Sequence, residues 1–265
     1  MKVFISADIE GITTTTTWDE TDSSHSSYGL HAKQMTEEVL ACIDGAKKAG
    51  ATEIVVRDAH DSATNIDPTK MPSGVTLLRG WSGHPYSMVE GIDKTFDASM
   101  FVGYHSSASR SGNPLAHTNT LKCSYIKINN IIVSEFYLSS YACALEGVPT
   151  VFLSGDKMLC DDFNNLHPNL ITCDVKDGIG EMTINYSTED TLKKIKELSS
   201  TALSQDLKNA LVKLPNHFKV EQLYKNAKLA EKYSYFPGVT KSSDCVVTFE
   251  SDNYFEVLRT LQWIM

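Results

Sequence analysis

The stretch KVFISADIEG, Lys2 to Gly11, decides the fold. Its first six residues, Lys2 to Ala7, read as a buried strand that ends in two carboxylates, Asp8 and Glu10. Side chains alternate along an extended chain, so an aspartate and a glutamate two residues apart present their acids to one face. Burying two acids side by side is unfavourable unless something positive lies between them.

Outward from this strand, strand-like and helix-like segments alternate. Met35, Val39, Ile43 and Ala46 fall on one face of a helix expected over Leu30 to Ala49, with Gly50 as its stop. EIVVRD (Glu53 to Asp58), VTLLRG (Val75 to Gly80) and ASMFVGY (Ala98 to Tyr104) read as further strands. YIKINNIIVSE is predicted to form a hairpin turning at Asn129-Asn130, since asparagine tolerates positive φ. A helix over Glu135 to Glu146, a strand over Thr150 to Ser154 and a helix after Asp156 follow. This alternation predicts an α/β fold with a largely parallel central sheet flanked by helices.

The last third reads differently. STED (Ser187 to Asp190) opens a helix expected to run to about Lys213, and Pro215 ends it. A short strand (Phe218 to Glu221), a helix (Gln222 to Tyr233), a strand (Cys245 to Glu250) and a terminal helix complete the chain. Residues 1–186 are expected to form the metal-binding catalytic α/β domain. Residues 187–265 would be a smaller α/β portion or an extension of the same domain.

Composition narrows the function. At 265 residues, 42% hydrophobic and with a net charge of −9, the chain has no basic block with which to track a nucleic-acid backbone. Nothing approaches the ~18 consecutive apolar residues of a membrane span, and the opening leaves no room for a signal peptide. Six scattered cysteines without a C-x-x-C spacing read as reduced thiols of a cytoplasmic protein, and Cys123 and Cys143 have no adjacent base that would make them nucleophiles.

The polar residues fall where an α/β sheet collects ligands, just past the carboxyl ends of strands. The first strand delivers Asp8 and Glu10, EIVVRDAH delivers His60, and ASMFVGYH delivers His105. Any one of these is an ordinary loop residue; their conjunction is an N/O donor set suited to Zn²⁺, or to Mn²⁺ or Co²⁺. Glu135 can add a fifth ligand, and His117 can serve as ligand or as acid/base catalyst. His25, His31, His84, His167 and His217 read as surface residues, and Thr13 to Thr17 as a solvated loop whose position after Glu10 suits a lid.

In order and spacing over Met1 to Asp156, the motifs SADIEG, RDAH, SMVEG, VGYHS, AHT and VSEFYLSSYACALEGVPTVFLSGD resemble the D-aminopeptidase family of zinc peptidases. The resemblance implies a cytoplasmic aminopeptidase with two zinc ions per subunit, assembled as stacked pentameric rings, that releases N-terminal D-amino acids from short peptides. By the same resemblance Asp8 bridges both ions, Glu10, His60, His105 and Glu135 complete the ligands, and His117 is catalytic. Asp58 is assigned the role of orienting His60. Two features depart from the family: five threonines follow Gly11 where a small Ser/Gly turn is expected, and Gly180-Glu181 stands where a basic residue is expected. Other readings of the same residues are a two-metal phosphoesterase and a non-catalytic peptide-binding assembly protein.

Overall fold

A computed structural model describes residues 1–265. In chain order it runs β1 (Lys2–Ala7), α1 (Tyr28–Lys48), β2 (Glu53–Asp58), β3 (Val75–Leu78), β4 (Ala98–Tyr104), β5 (Cys123–Ile128), β6 (Ile131–Ile132), α2 (Glu135–Leu145) and β7 (Thr150–Asp156). There follow α3 (Lys157–Leu166), β8 (Ile171–Ile179), β9 (Met182–Asn185), α4 (Thr188–Ser204), β10 (Phe218–Tyr224), α5 (Ala227–Ser234), β11 (Thr240–Lys241), β12 (Val246–Ser251) and α6 (Tyr254–Ile264).

Seven strands form the main sheet in the order β3-β2-β1-β4-β7-β8-β9, parallel except for the β8–β9 hairpin. Both faces are covered, which is why its central strands are apolar on both sides. Val3 and Ile5 of β1 pack with Met35 and Val39 of α1 and Ile195 of α4. Phe4 points the other way, into a core shared with Phe101, the helices α2 and α6, and the second sheet. That second sheet is antiparallel, ordered β11-β12-β10-β5-β6, so its strands come from both sides of residue 186.

The chain leaves β1 toward β2 and β3 on one side and returns to β4 on the other. Successive strands therefore diverge between β1 and β4, and a crevice opens at their carboxyl ends. The segment beyond β1 touches the end of β4 backbone to backbone, Asp8 N–H donating to Val102 O at 2.9 Å and Gly11 N–H to Gly103 O at 2.8 Å. A Cβ on Gly11 would lie 1.8 Å from Tyr104 O, and one on Gly103, at φ +72°, 2.3 Å from Asp8 O. Only glycine permits that approach.

Several elements differ from expectation. The run Thr13 to Thr17 is largely packed rather than solvated, with Thr13 and Thr15 both 0% exposed and only Thr17 on the surface, and leads into a short 3₁₀ turn, Trp18–Glu20. The helix opened by STED stops at Ser204, because Gln205 is extended and the Asp206 side chain caps a new 3₁₀ turn at Leu207–Ala210. The strand from Phe218 continues to Tyr224, since Gln222 sits in the ladder between β5 and β12, and Asn226 caps the helix that follows. Residues 171–185, for which the sequence pattern predicts no element, form the β8–β9 hairpin, whose outer strand, MTIN, is only four residues long and leaves Met182 and Ile184 exposed. The turn at Asn129-Asn130 holds, with φ of 51° and 70°.

The Gly103→Ala substitution should cost roughly 2–5 kcal/mol, from left-handed strain plus displaced backbone. A lowered urea midpoint with unchanged slope would show it. A midpoint equal to the wild type would mean that the β1–β4 crossing is not tight.

Candidate metal centre

Six side chains named from the sequence meet at the carboxyl ends of β1, β2 and β4. Asp8 and Glu10 follow β1, His60 follows β2 and His105 follows β4. Glu135 is the first residue of α2, whose N-terminus is capped by Ser134. His117 comes from the loop between β4 and β5. Asp8, Glu10 and Glu135 are 2–3% exposed and His105 is fully buried.

Asp8 divides the cluster into two halves. His60 Nδ1 lies 3.4 Å from Asp8 Oδ1 and 3.2 Å from Glu10 Oε2. On the other side, His105 Nε2 lies 3.6 Å from Asp8 Oδ2 and 3.2 Å from Glu135 Oε2. His117 Nε2 approaches Glu135 Oε1 at 3.3 Å, and its ring stacks on His105 at 4.5 Å.

The other nitrogen of each imidazole faces a backbone carbonyl: His60 Nε2 meets Thr21 O at 3.0 Å, His105 Nδ1 meets Ser106 O at 2.9 Å, and His117 Nδ1 meets Leu115 O at 2.9 Å. A carbonyl can only accept, so each ring donates outward and turns its remaining nitrogen toward the carboxylates. Asp8 Oδ2, Glu10 Oε2 and His105 Nε2 are buried with no hydrogen-bond partner. Converging lone pairs with no donor among them are what a cation fills, and one oxygen or nitrogen from each of Asp8, Glu10 and His105 lies within 4.8 Å of the others. His105, His117 and Glu135 meet the same criterion. The donor set fits zinc.

Without a cation the cluster balances itself with protons. Burial would lower the His60 pKa, but the facing carboxylates of Glu10 and Asp8 push it up to about 12. His105 is likewise raised, to about 10, because Glu135 and Asp8 outweigh its burial. Burial pushes the other way on Glu135, where His105 and His117 win and hold it at about 2. Asp8 is raised by burial and by the neighbouring charge of Glu10.

Around the cluster is a cavity of about 510 Å³, walled by Trp18, Trp81 and Met88 and edged by Asp22 and Asp61. Trp18 meets the His117 ring edge-on at 5.4 Å, and Trp81 is anchored by its indole N–H on Asp61 O at 2.6 Å.

Three expectations are corrected. Asp58 does not touch the His60 ring; it accepts from the backbone N–H groups of Asn65 and Ile66 at 2.6 and 2.7 Å and so fixes the turn that carries His60. His31 is buried rather than on the surface, held by Thr15 Oγ1 at 2.9 Å. Gly180 forms the exposed hairpin turn at φ +63°, and the buried basic residue of that stretch is Lys176, 0% exposed, which the sequence reading passed over. Its one signal was a lysine inside the strand-like run ITCDVKDGI. Trp18 and Trp81 were missed as well, because nothing local marks a loop tryptophan as a cavity wall.

The model of the D-aminopeptidase family of peptidases matches residues 1–263. The chain belongs to that family. It is accordingly a peptide-bond hydrolase. A D-aminopeptidase of Bacillus subtilis (strain 168) is 29% identical over 263 residues, covering 98% of this chain and 95% of its own. Among solved structures, the Zn-dependent D-aminopeptidase DppA from Bacillus subtilis, a self-compartmentalizing protease, matches with a TM-score of 0.93 at 28% identity, over 100% of this chain and 96% of that one. The likeness read over Met1 to Asp156 thus extends through the second sheet.

Imidazoles must lose a proton to bind a metal, so zinc uptake by chelator-stripped protein at pH 7 should release about one to two protons per chain. Apparent affinity should rise with pH and fall in acid, where His60 and His105 hold their protons more firmly. Titration calorimetry in two buffers of different ionisation enthalpy measures the release. Identical heats in both would contradict the protonated metal-free cluster.

Proposed function

We propose that the chain is a zinc aminopeptidase with two ions per subunit, which removes the N-terminal residue, a D-amino acid, from short peptides. The observation that carries this reading is the disposition of Asp8, with Oδ1 toward His60 and Glu10 and Oδ2 toward His105 and Glu135. In this assignment Asp8, Glu10 and His60 would hold one ion, and Asp8, His105 and Glu135 would hold the other. Zinc, when bound, supplies a water acidified to near-neutral pKa and polarises the scissile carbonyl.

The chain's own residues do the rest. His117 donates Nδ1–H to Leu115 O, which leaves Nε2 at the cavity wall free to take the proton that the attacking water gives up and to pass it on to the leaving amine. Trp18, packed against that ring, limits its rotation. Asp22 and Asp61 place negative charge at the cavity edge, where a free α-ammonium can dock, and this favours cleavage at a peptide's amino end. A cavity of about 510 Å³ suits a short peptide rather than a folded chain.

The assembly in this reading is a homo-oligomer of stacked pentameric rings; the self-compartmentalizing relative supports its being an oligomer. Six free cysteines support a reducing compartment, the cytoplasm. No helix is long and apolar enough to cross a membrane. Family membership selects peptide hydrolysis over phosphoester hydrolysis.

The test pairs metal content with stereochemistry. Protein purified without chelator should carry about two zinc ions per chain, and should hydrolyse D-aminoacyl anilides faster than their L-counterparts. Less than one ion per chain after reconstitution, or an L-preference, would overturn the corresponding half of the reading. The His117→Ala variant should keep its zinc and lose about 10²–10⁴-fold in kcat. Unimpaired turnover would remove His117 from the mechanism.

A further inference from the structure

Lys176 is the one lysine with no exposure in the structure, and it lies beneath the metal centre rather than in it. The register between β7 and β8 slips after Gly155, which faces Asp174, so that Asp156 faces Lys176. The slip breaks the alternation of β8, and Val175 and Lys176 are both buried. Lys176 Nζ donates to Glu10 O at 2.6 Å and also to Thr15 O. The Glu10 carbonyl accepts a second bond from Asn113 Nδ2 at 2.9 Å.

These bonds clamp the segment Glu10 to Thr21 at its start and middle. Further along, Thr13 N–H donates to Glu38 Oε1 at 2.9 Å, and Thr16 and Thr17 N–H donate to Glu20 Oε2 at 2.6 and 2.9 Å. The segment ends at Thr21, whose carbonyl accepts from His60 Nε2 and so sets the orientation of that ring. Both residues of one half of the cluster, Glu10 and His60, therefore depend on a segment that one buried ammonium holds at two points, Glu10 O and Thr15 O.

The other half is built without it. His105 is held by Ser106 O, and Glu135 by its place on α2 and by Asn119 N–H at 2.6 Å. Asp156 accepts from Ser106 N–H and Oγ–H, from Asn113 and from Leu159 N–H, and so keeps its donors whatever stands at 176.

We propose that Lys176 is a positioning residue for one metal position and not the other, fixing Glu10 directly and His60 through Thr21. This inference rests on the two-ion reading above. Metal bound at the Glu10/His60 position should weaken by about 10–100-fold in Lys176→Met, with the His105/Glu135 position unchanged.

Zinc content after dialysis against limiting free zinc reads this directly, with circular dichroism to verify the fold. The wild type should hold about two ions per chain and Lys176→Met about one. Adding Glu10→Gln to Lys176→Met should leave the count at about one, whereas adding Glu135→Gln should bring it close to none. Should the methionine variant not fold, Lys176→Gln, which keeps donors but not the charge, carries the same comparison. Two ions retained at wild-type affinity, or both weakened together as a general loss of stability would produce, would overturn the proposal. A wild type without zinc would sink the two-ion reading instead.

Discussion

Three carboxylates, Asp8, Glu10 and Glu135, are sealed together at the end of the main sheet, and their only ion pairs are with histidines. Buried charge of one sign is tolerable only when something of the other sign is bound among it. The rest of the site follows from that constraint. The imidazoles can balance the acids by taking up protons, at the expense of the nitrogens a metal needs. A cation can replace those protons, since donor atoms of Asp8, Glu10 and His105, and of His105, His117 and Glu135, already converge. The centre is thus organised in advance, and metal and proton compete for the same lone pairs.

That preorganisation is held by backbone. Each histidine is fixed by a loop carbonyl: Thr21, between β1 and α1, for His60, and Ser106 and Leu115, both between β4 and β5, for His105 and His117. Loops are ordinarily the mobile parts of a fold, yet here the segment after Glu10 is stitched to α1 through Glu38 and His31 and to β8 through Lys176. The threonine run that departs from the family pattern is part of this stitching. The amides of Thr13, Thr14, Thr16 and Thr17 and the hydroxyls of Thr15 and Thr16 bond internal partners, which is why much of a stretch that reads as solvated lies packed.

The sheet supplies the remaining geometry. Because strand order reverses between β1 and β4, their carboxyl ends can bring Asp8 and His105 together without a long excursion of chain. Gly11 and Gly103 let those two segments pass closer than any side chain would allow. The cost of the approach is borne by the cores on either face of the sheet.

The sequence by itself determined the main strands, the α/β class, the asparagine turn and the residues that gather at the strand ends. All of these rest on local pattern: apolar runs bounded by turns, and polar residues placed just past them. It also determined the family, through motifs spread over half the chain. Only the tertiary structure decided what depended on distant partners. Gln222 is a strand residue because β5 and β12 flank it, not because of its neighbours in sequence. Asp58 serves a turn rather than a ring, His31 is buried, and Lys176 lies under Glu10, 166 residues away in the chain. A hydrogen bond between residues that far apart leaves no periodicity in the sequence, because its geometry is set by strand order and register.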